Sequence, residues 1–153
     1  MKVLIACEES QTVCKAFREL GHEAFSCDTQ PCSGGHPEWH IYDDVLIHLN
    51  DGWDLIIMHP PCTYTSLCGN RWYSKSINRI EGVMFCAILW NRACALCDKV
   101  ALEQPKTIMQ KYIGPKSQVI QPWQFGHPET KETWLWLRNL PRLEETDLSL
   151  IHI

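Results

Sequence analysis

The chain has 153 residues, of which 45% are hydrophobic and 21% charged, a balance that excludes a disordered segment and suits one soluble domain with a real core. No apolar run approaches the roughly 20 residues needed to cross a bilayer, and the start turns acidic at Glu8 and Glu9, too early for a secretory leader; a cytoplasmic location and no membrane partner are expected. A formal net charge of -4 excludes a protein that is basic throughout, so any contact with nucleic acid has to rest on a local patch.

In chain order, Lys2 to Ala6 reads as a buried strand, and Ser10 is placed to cap a helix carrying Val13, Phe17 and Leu20 at helical spacing. Gly21 ends that helix, and Glu23 to Cys27 forms a second strand. The Pro-, Gly- and Ser-rich stretch from Thr29 to Trp39 is a loop, and Asp44 to Leu49 a short helix or turn. Trp53 to Met58 is a continuous apolar strand broken by His59-Pro60-Pro61. Ile80, Val83, Met84, Ala87 and Ile88 mark a helix running to about Cys97; Val100 to Leu102 and Trp134 to Leu137 are further strands. The nine cysteines lie largely in these apolar segments and, without an export signal, are expected as reduced thiols.

Strands alternating with helices predict an α/β fold: an open, mostly parallel sheet covered by helices on both faces. Ligands in such folds sit beyond the carboxyl ends of the strands. Glu8, Asp28, Asp44, Cys62 and Glu103 all follow strands and are where chemistry is expected.

The sharpest motif runs from Asp54 to Ser66, in which a strand delivers Pro60-Pro61-Cys62 and then Thr63-Tyr64-Thr65-Ser66. It resembles the catalytic loop of the cytosine-C5 DNA methyltransferases, which have a Pro-Cys pair followed by an aromatic residue and serine. C5 of cytosine is a poor nucleophile until something adds to C6, and a thiolate suits that addition. A buried structural cysteine after a proline turn is the other reading of this loop alone. Downstream, Val100-Ala101-Leu102-Glu103-Gln104-Pro105 is similar to the family's strand ending in Glu-Asn-Val, with Gln104-Pro105 departing from the usual pair. The resemblance implies that Glu103 binds N3 and the exocyclic amine of the base. The stretch from Phe125 to Trp134 resembles the family's Tyr-Gly-x-Pro-Gln-x-Arg-x-Arg segment, with Gly126 and Pro128 in register and Lys131 in place of the first arginine.

The same resemblance implies a Rossmann-like methyltransferase fold and S-adenosylmethionine as cofactor. The strand-to-helix turn from Ala6 through Cys7 and Glu8 to Ser10 would hold its methionine end, although the usual glycines are absent. Asp28 would face the ribose, Asp44-Val45 the adenine, and Pro60 the cofactor side of the nucleophile loop. Between Pro60 and Ile80 the charged residues are Arg71, Lys75 and Arg79, with Trp72 among them, a basic aromatic stretch suited to DNA phosphates and a displaced base. A second basic stretch runs from Lys99 to Lys116. Cys27, Cys32, His36 and His40 follow a spacing that zinc accepts, but the halves are tightly packed and Asp28 has another role there, so no metal is expected.

Residues 1–147 are read as an incomplete catalytic domain, without the family's target-recognition region and last motifs; in this it is similar to compact phage genes. Residues 148–153 read as a non-native tail, since CTG TCT CTT ATA CAC ATC would encode them, similar to a transposon-type sequencing adaptor. Two other functions fit parts of the pattern: an inert nucleic-acid-binding protein of the same fold, and a methyltransferase acting on an exocyclic amine, for which His59 and Cys62 flank the prolines poorly.

Overall fold

Val3, Leu4, Ile5 and Ala6 are fully buried, so the first strand is covered on both faces, as a continuous apolar run in a parallel sheet requires. The computed structural model describes residues 1–146, and the tail expected at 148–153 lies outside the described residues. The chain runs β1 (Lys2–Ala6), α1 (Thr12–Glu19), β2 (Glu23–Asp28), β3 (His40–Tyr42), α2 (Val45–His48), β4 (Leu55–Met58), α3 (Asn70–Tyr73), α4 (Ile77–Leu96), β5 (Val100–Pro105), α5 (Gln110–Ile113), β6 (Gln118–Ile120) and β7 (Thr133–Arg138). The seven strands form one sheet in the order β3-β2-β1-β4-β5-β7-β6. Pairs from β3 through β5 are parallel, whereas β7 runs antiparallel to both β5 and β6. The expected α/β architecture with a mostly parallel sheet is the one observed.

The pleat sorts side chains between two cores. Leu4, Ala6, Ile56, Met58, Val100, Leu102, Trp134 and Trp136 face α4 and α2 in the larger one. Val3, Ile5, Ala24 and Leu55 face α1 in the smaller, with Ile57 and Leu140 packed against them. Beyond α1, the second face over β4, β5 and β7 keeps an apolar hollow of about 490 Å³. The order reverses between β1 and β4: α1 returns to β2 on one face while α4 leads to β5 on the other. That switch point opens a crevice at the carboxyl edge, where ligands of open α/β sheets bind.

Two helix predictions are corrected. Ser10 does not cap α1: it is exposed, and the N-cap residue is Gln11, whose side chain makes no cap bond. The Glu8 carboxylate does this instead, accepting the N–H groups of Val13 at 2.6 Å and Cys14 at 3.2 Å. In α4 the buried face is Arg79, Val83, Cys86, Leu89 and Ala93, whereas Ile80 and Met84 are each 55% exposed. What rotates the helix is Arg79, which is drawn inward by the loop preceding it.

Candidate active site

Three loops meet at the carboxyl edge of β1, β4 and β5. In the first, the turn from β1 to α1, Cys7 and Gln11 both have φ of 61°, a left-handed conformation that glycine adopts most readily. The expected glycine turn therefore exists in backbone shape without glycine. Its support comes from neighbouring chain. The N–H groups of Cys7 and Glu8 both donate to the Cys27 carbonyl, at 2.8 and 3.2 Å. Gln11, fully buried, donates to the His36 carbonyl at 2.8 Å and accepts the His36 N–H at 3.0 Å, tying the 29–39 loop onto the turn. A Cβ at Gly34 would lie 2.5 Å from both Gln11 Cβ and the Ser10 carbonyl, so glycine is required where the two loops touch.

Beside this turn lies a hollow of about 290 Å³ bounded by Cys7, Cys27, Asp28, Thr29, Asp43, Asp44, Val45, Pro61 and Phe85. Asp28 and Asp44 each use one carboxylate oxygen locally, on the N–H groups of Gln30 at 2.9 Å and Leu46 at 3.0 Å. Burial, reinforced by Asp28, pushes the Cys7 thiol up to about 12, and burial with Asp43 does the same for Cys27; these thiols are neutral walls rather than nucleophiles. Cys7, Glu8, Ser10 and His59 border an adjoining hollow. Of the residues expected to contact a cofactor, Asp28, Asp44, Val45 and Cys7 thus share one hollow, and Ser10 borders the next. Glu8 borders that second hollow too, with its carboxylate buried and engaged in capping α1. Ala6 is buried in β1 with its carbonyl accepting the His59 N–H at 3.0 Å, and Pro60 is buried beneath the second loop.

That second loop, following β4, carries Cys62. The Cys62 carbonyl accepts the N–H groups of Thr65 at 3.2 Å and Ser66 at 3.0 Å, folding the loop back on itself. Two buried side chains clamp it. Gln104 donates to the Pro60 carbonyl at 2.6 Å and accepts the Thr65 hydroxyl at 2.9 Å. Arg79, 7% exposed, donates through Nε to the Tyr64 carbonyl at 2.6 Å, through Nη2 to the Ser66 carbonyl at 3.1 Å, and through Nη1 to Asn70 Oδ1. The expectation that Arg79 contacts DNA is therefore corrected. Its donors are engaged within the protein, where they hold the loop that carries Cys62. Neither clamp was named from sequence; the departure of Gln104 from the family pattern was the one available signal.

The third loop follows β5. Glu103 is half-buried beside Cys62, with Oε2 3.1 Å from His59 Nδ1. Burial raises the Cys62 thiol above its ordinary range, Glu103 raises it further by charge, and Lys131 opposes them. Glu103 and Lys131, from two separate stretches, thus each act by charge on Cys62. Lys131 is exposed, on a segment held by its own N–H to Gln121 Oε1 at 2.7 Å.

Arg71, Trp72 and Lys75 are exposed, with Arg71 over the Trp72 ring at 5.2 Å. Arg71 borders a polar hollow with Asn70, Ser74, Lys111 and Tyr112, so the fold joins the two basic stretches that are separate in sequence. The proposed zinc pattern is otherwise occupied. His40 bonds Ser26 Oγ at 2.8 Å and the Gln30 carbonyl at 2.9 Å, and His36 stacks on Trp39 and pairs with Glu38. Among the described residues no three metal-ligating side chains cluster, and all nine cysteines are free.

Fold and site together define an open α/β protein with loop-borne residues at its switch point. No family model and no curated protein matches the chain. Among solved structures it is similar to WbdD, with a TM-score of 0.56 at 13% identity over 90% of this chain and 35% of that one. A second structure, of the bifunctional kinase-methyltransferase WbdD, gives 0.54 at 14% identity over 94% and 36%, and monomeric WbdD gives 0.52 at 13% identity over 94% and 37%. The chain spans little more than a third of the length of these proteins. At such identity the likeness establishes the fold: an α/β architecture shared with a methyltransferase-bearing protein.

Among the described residues no helix is long and apolar enough to cross a membrane.

Proposed function

We propose that this chain is the catalytic part of an S-adenosylmethionine-dependent DNA methyltransferase acting on cytosine C5 through a covalent Cys62 adduct. The observation that carries this reading is that the loop bearing Cys62 and the end of β5 bearing Glu103 meet at the carboxyl edge, tied by Gln104 to the Pro60 carbonyl at 2.6 Å and by His59 to Glu103 at 3.1 Å, on a fold shared with a methyltransferase-bearing protein. The adjoining hollow fits a nucleoside. Its volume is near the lower bound of ligand pockets, about 300 Å³. Asp28 and Asp44 each retain a carboxylate oxygen suited to ribose hydroxyls, and Val45 and Phe85 offer apolar walls to a purine. Bound there, S-adenosylmethionine supplies an electrophilic methyl group.

The chain's own residues do the rest. Cys62 releases its proton to water, and the thiolate adds to C6 of a flipped cytosine. Glu103 hydrogen-bonds N3 and the exocyclic amine, stabilising the charge that develops on the ring. Lys131 favours the thiolate, and by position also suits a phosphate. After C5 takes the methyl group, a water removes the C5 proton, the C6–S bond breaks and the thiolate returns. Arg71, Lys75 and the exposed face of Trp72 suit the phosphates and the displaced base.

DNA carrying 5-fluorocytosine tests this, because fluorine at C5 cannot leave as a proton and the adduct persists. With labelled S-adenosylmethionine, a protein–DNA adduct is expected, and Cys62→Ser abolishes it. Methyl transfer that survives Cys62→Ser would refute the mechanism. DNA binding without cofactor binding or transfer would establish the inert nucleic-acid-binding function instead.

A further inference from the structure

Among the described residues a single buried side-chain nitrogen or oxygen lacks a hydrogen-bond partner: Nε2 of His59. Native proteins rarely leave such a group unpaired without a reason. His59 follows β4, three residues before Cys62. Its backbone N–H is fixed to the Ala6 carbonyl at 3.0 Å and its Nδ1 lies 3.1 Å from Glu103 Oε2. The pairing follows from the pleat: Ile57 and Ala101 are register partners in β4 and β5, so His59 and Glu103, each two residues further on, extend the same face of the sheet. Charged groups around the ring come from two elements. Glu103 faces it from β5, and Glu8 and Glu9 border the hollow it lines from the β1–α1 turn, where Glu8 is engaged in capping. From α1 it meets Val13, and the rest of its surroundings on that face are apolar.

We propose that His59 is the positioning residue of Glu103, an inference that rests on the cytosine-C5 reading. With Oε2 held by Nδ1–H, the carboxyl group is kept from turning, and the edge it presents to N3 and the exocyclic amine is fixed. As the C6–S bond forms, Glu103 donates its proton to N3 and takes it back when the thiolate is expelled, while the Nδ1–H of His59 stays on the ring and holds Oε2 throughout. With Nε2 unpartnered, the hydrogen-bonded nitrogen of the ring is Nδ1, whose N–H goes to Oε2.

Two measurements on the full chain test this. In single-turnover transfer to cytosine-containing DNA, His59→Ala is expected to lower the methyl-transfer rate by roughly ten- to a hundredfold, with DNA affinity nearly unchanged. His59→Asn, whose amide can still donate to Oε2, is expected to recover part of that rate. A thermal melt of each variant shows whether it is folded. Independently of activity, the His59 ring nitrogen resonances, assigned by their loss in His59→Asn, are expected to shift in Glu103→Gln. His59→Ala transferring at the wild-type rate would overturn the proposal, as would ring resonances indifferent to Glu103→Gln. If the wild-type chain transfers no methyl group while the resonances do respond, the cytosine-C5 reading falls and the His59–Glu103 pairing stands.

Discussion

Replacing Gln104 by leucine should loosen the loop that carries Cys62 and destabilise the whole domain. Gln104 is 1% exposed, and leucine keeps much of its volume, so the loss is in hydrogen bonding rather than packing. Two groups lose their partner: the Pro60 carbonyl, bonded at 2.6 Å, and the Thr65 hydroxyl, bonded at 2.9 Å. Each buried orphan costs about 1–3 kcal/mol. The Thr65 hydroxyl can fall back on the Cys62 carbonyl, now 3.5 Å away, which recovers part of one loss. The expected cost is therefore about 2–4 kcal/mol, or roughly 5–15 °C in Tm for a domain of this size. Urea unfolding should show the midpoint falling with the slope unchanged. Thr65→Val supplies the second side of a double-mutant cycle, with a coupling of about 1 kcal/mol between directly bonded partners. If Gln104→Leu is destabilised by less than about 0.5 kcal/mol, a surface-like effect, Gln104 is not a clamp and the account of the loop fails.

Two further predictions follow from charge. Because burial and Glu103 raise the Cys62 thiol, its alkylation near neutral pH should be slower than that of an ordinary free thiol and should climb into the alkaline range. Glu103→Gln should accelerate it a few-fold and Lys131→Ala slow it, read by peptide mass mapping; unchanged rates in both variants would show that the three residues do not interact. His48 is raised above its usual 6.5 by its hydrogen bond to Asp43, with Asp51 adding to it against burial, while Asp43 is lowered below 3.8 by the same bond. The His48 contribution to stability is full below pH 6.5 and disappears as pH rises through the folded value; the Asp43 contribution disappears as pH falls through its own. His48→Gln should therefore lower the urea midpoint at about pH 5.5 and much less at about pH 8.5, and a loss larger at the alkaline pH would reverse the assignment.

The strands that carry the site were legible in the sequence because their apolar runs are long enough to be buried on both faces, and the polar residues ending them mark its position. β3 and β6 were not, since each has three residues, sits at a sheet edge and lacks an apolar run. The helix before β5 was found, but its inward face was misjudged. Apolar residues surround α4, and what turns it is a buried arginine satisfied by the Tyr64 and Ser66 carbonyls of a preceding loop. The same limit explains Gln104 and His59, whose partners lie 44 residues away in the chain, and Glu8, whose capping role depends on the path the turn takes. Residue type and spacing singled out Cys62 and Glu103; the contacts that orient them arise only from the folded chain.

The turn at Cys7 and Gln11 shows that what the carboxyl edge of β1 requires in this chain is a pair of backbone angles rather than a residue type. Glycine meets those angles without strain, but a cysteine held by the Cys27 carbonyl and a glutamine latched to His36 reach them too. A pattern written in glycines would pass this chain by. One written in dihedral angles, two left-handed residues between strand and helix with a neighbouring loop pressed against them, would recognise it, and would also locate relatives in which a side chain has taken over the part usually given to an empty position.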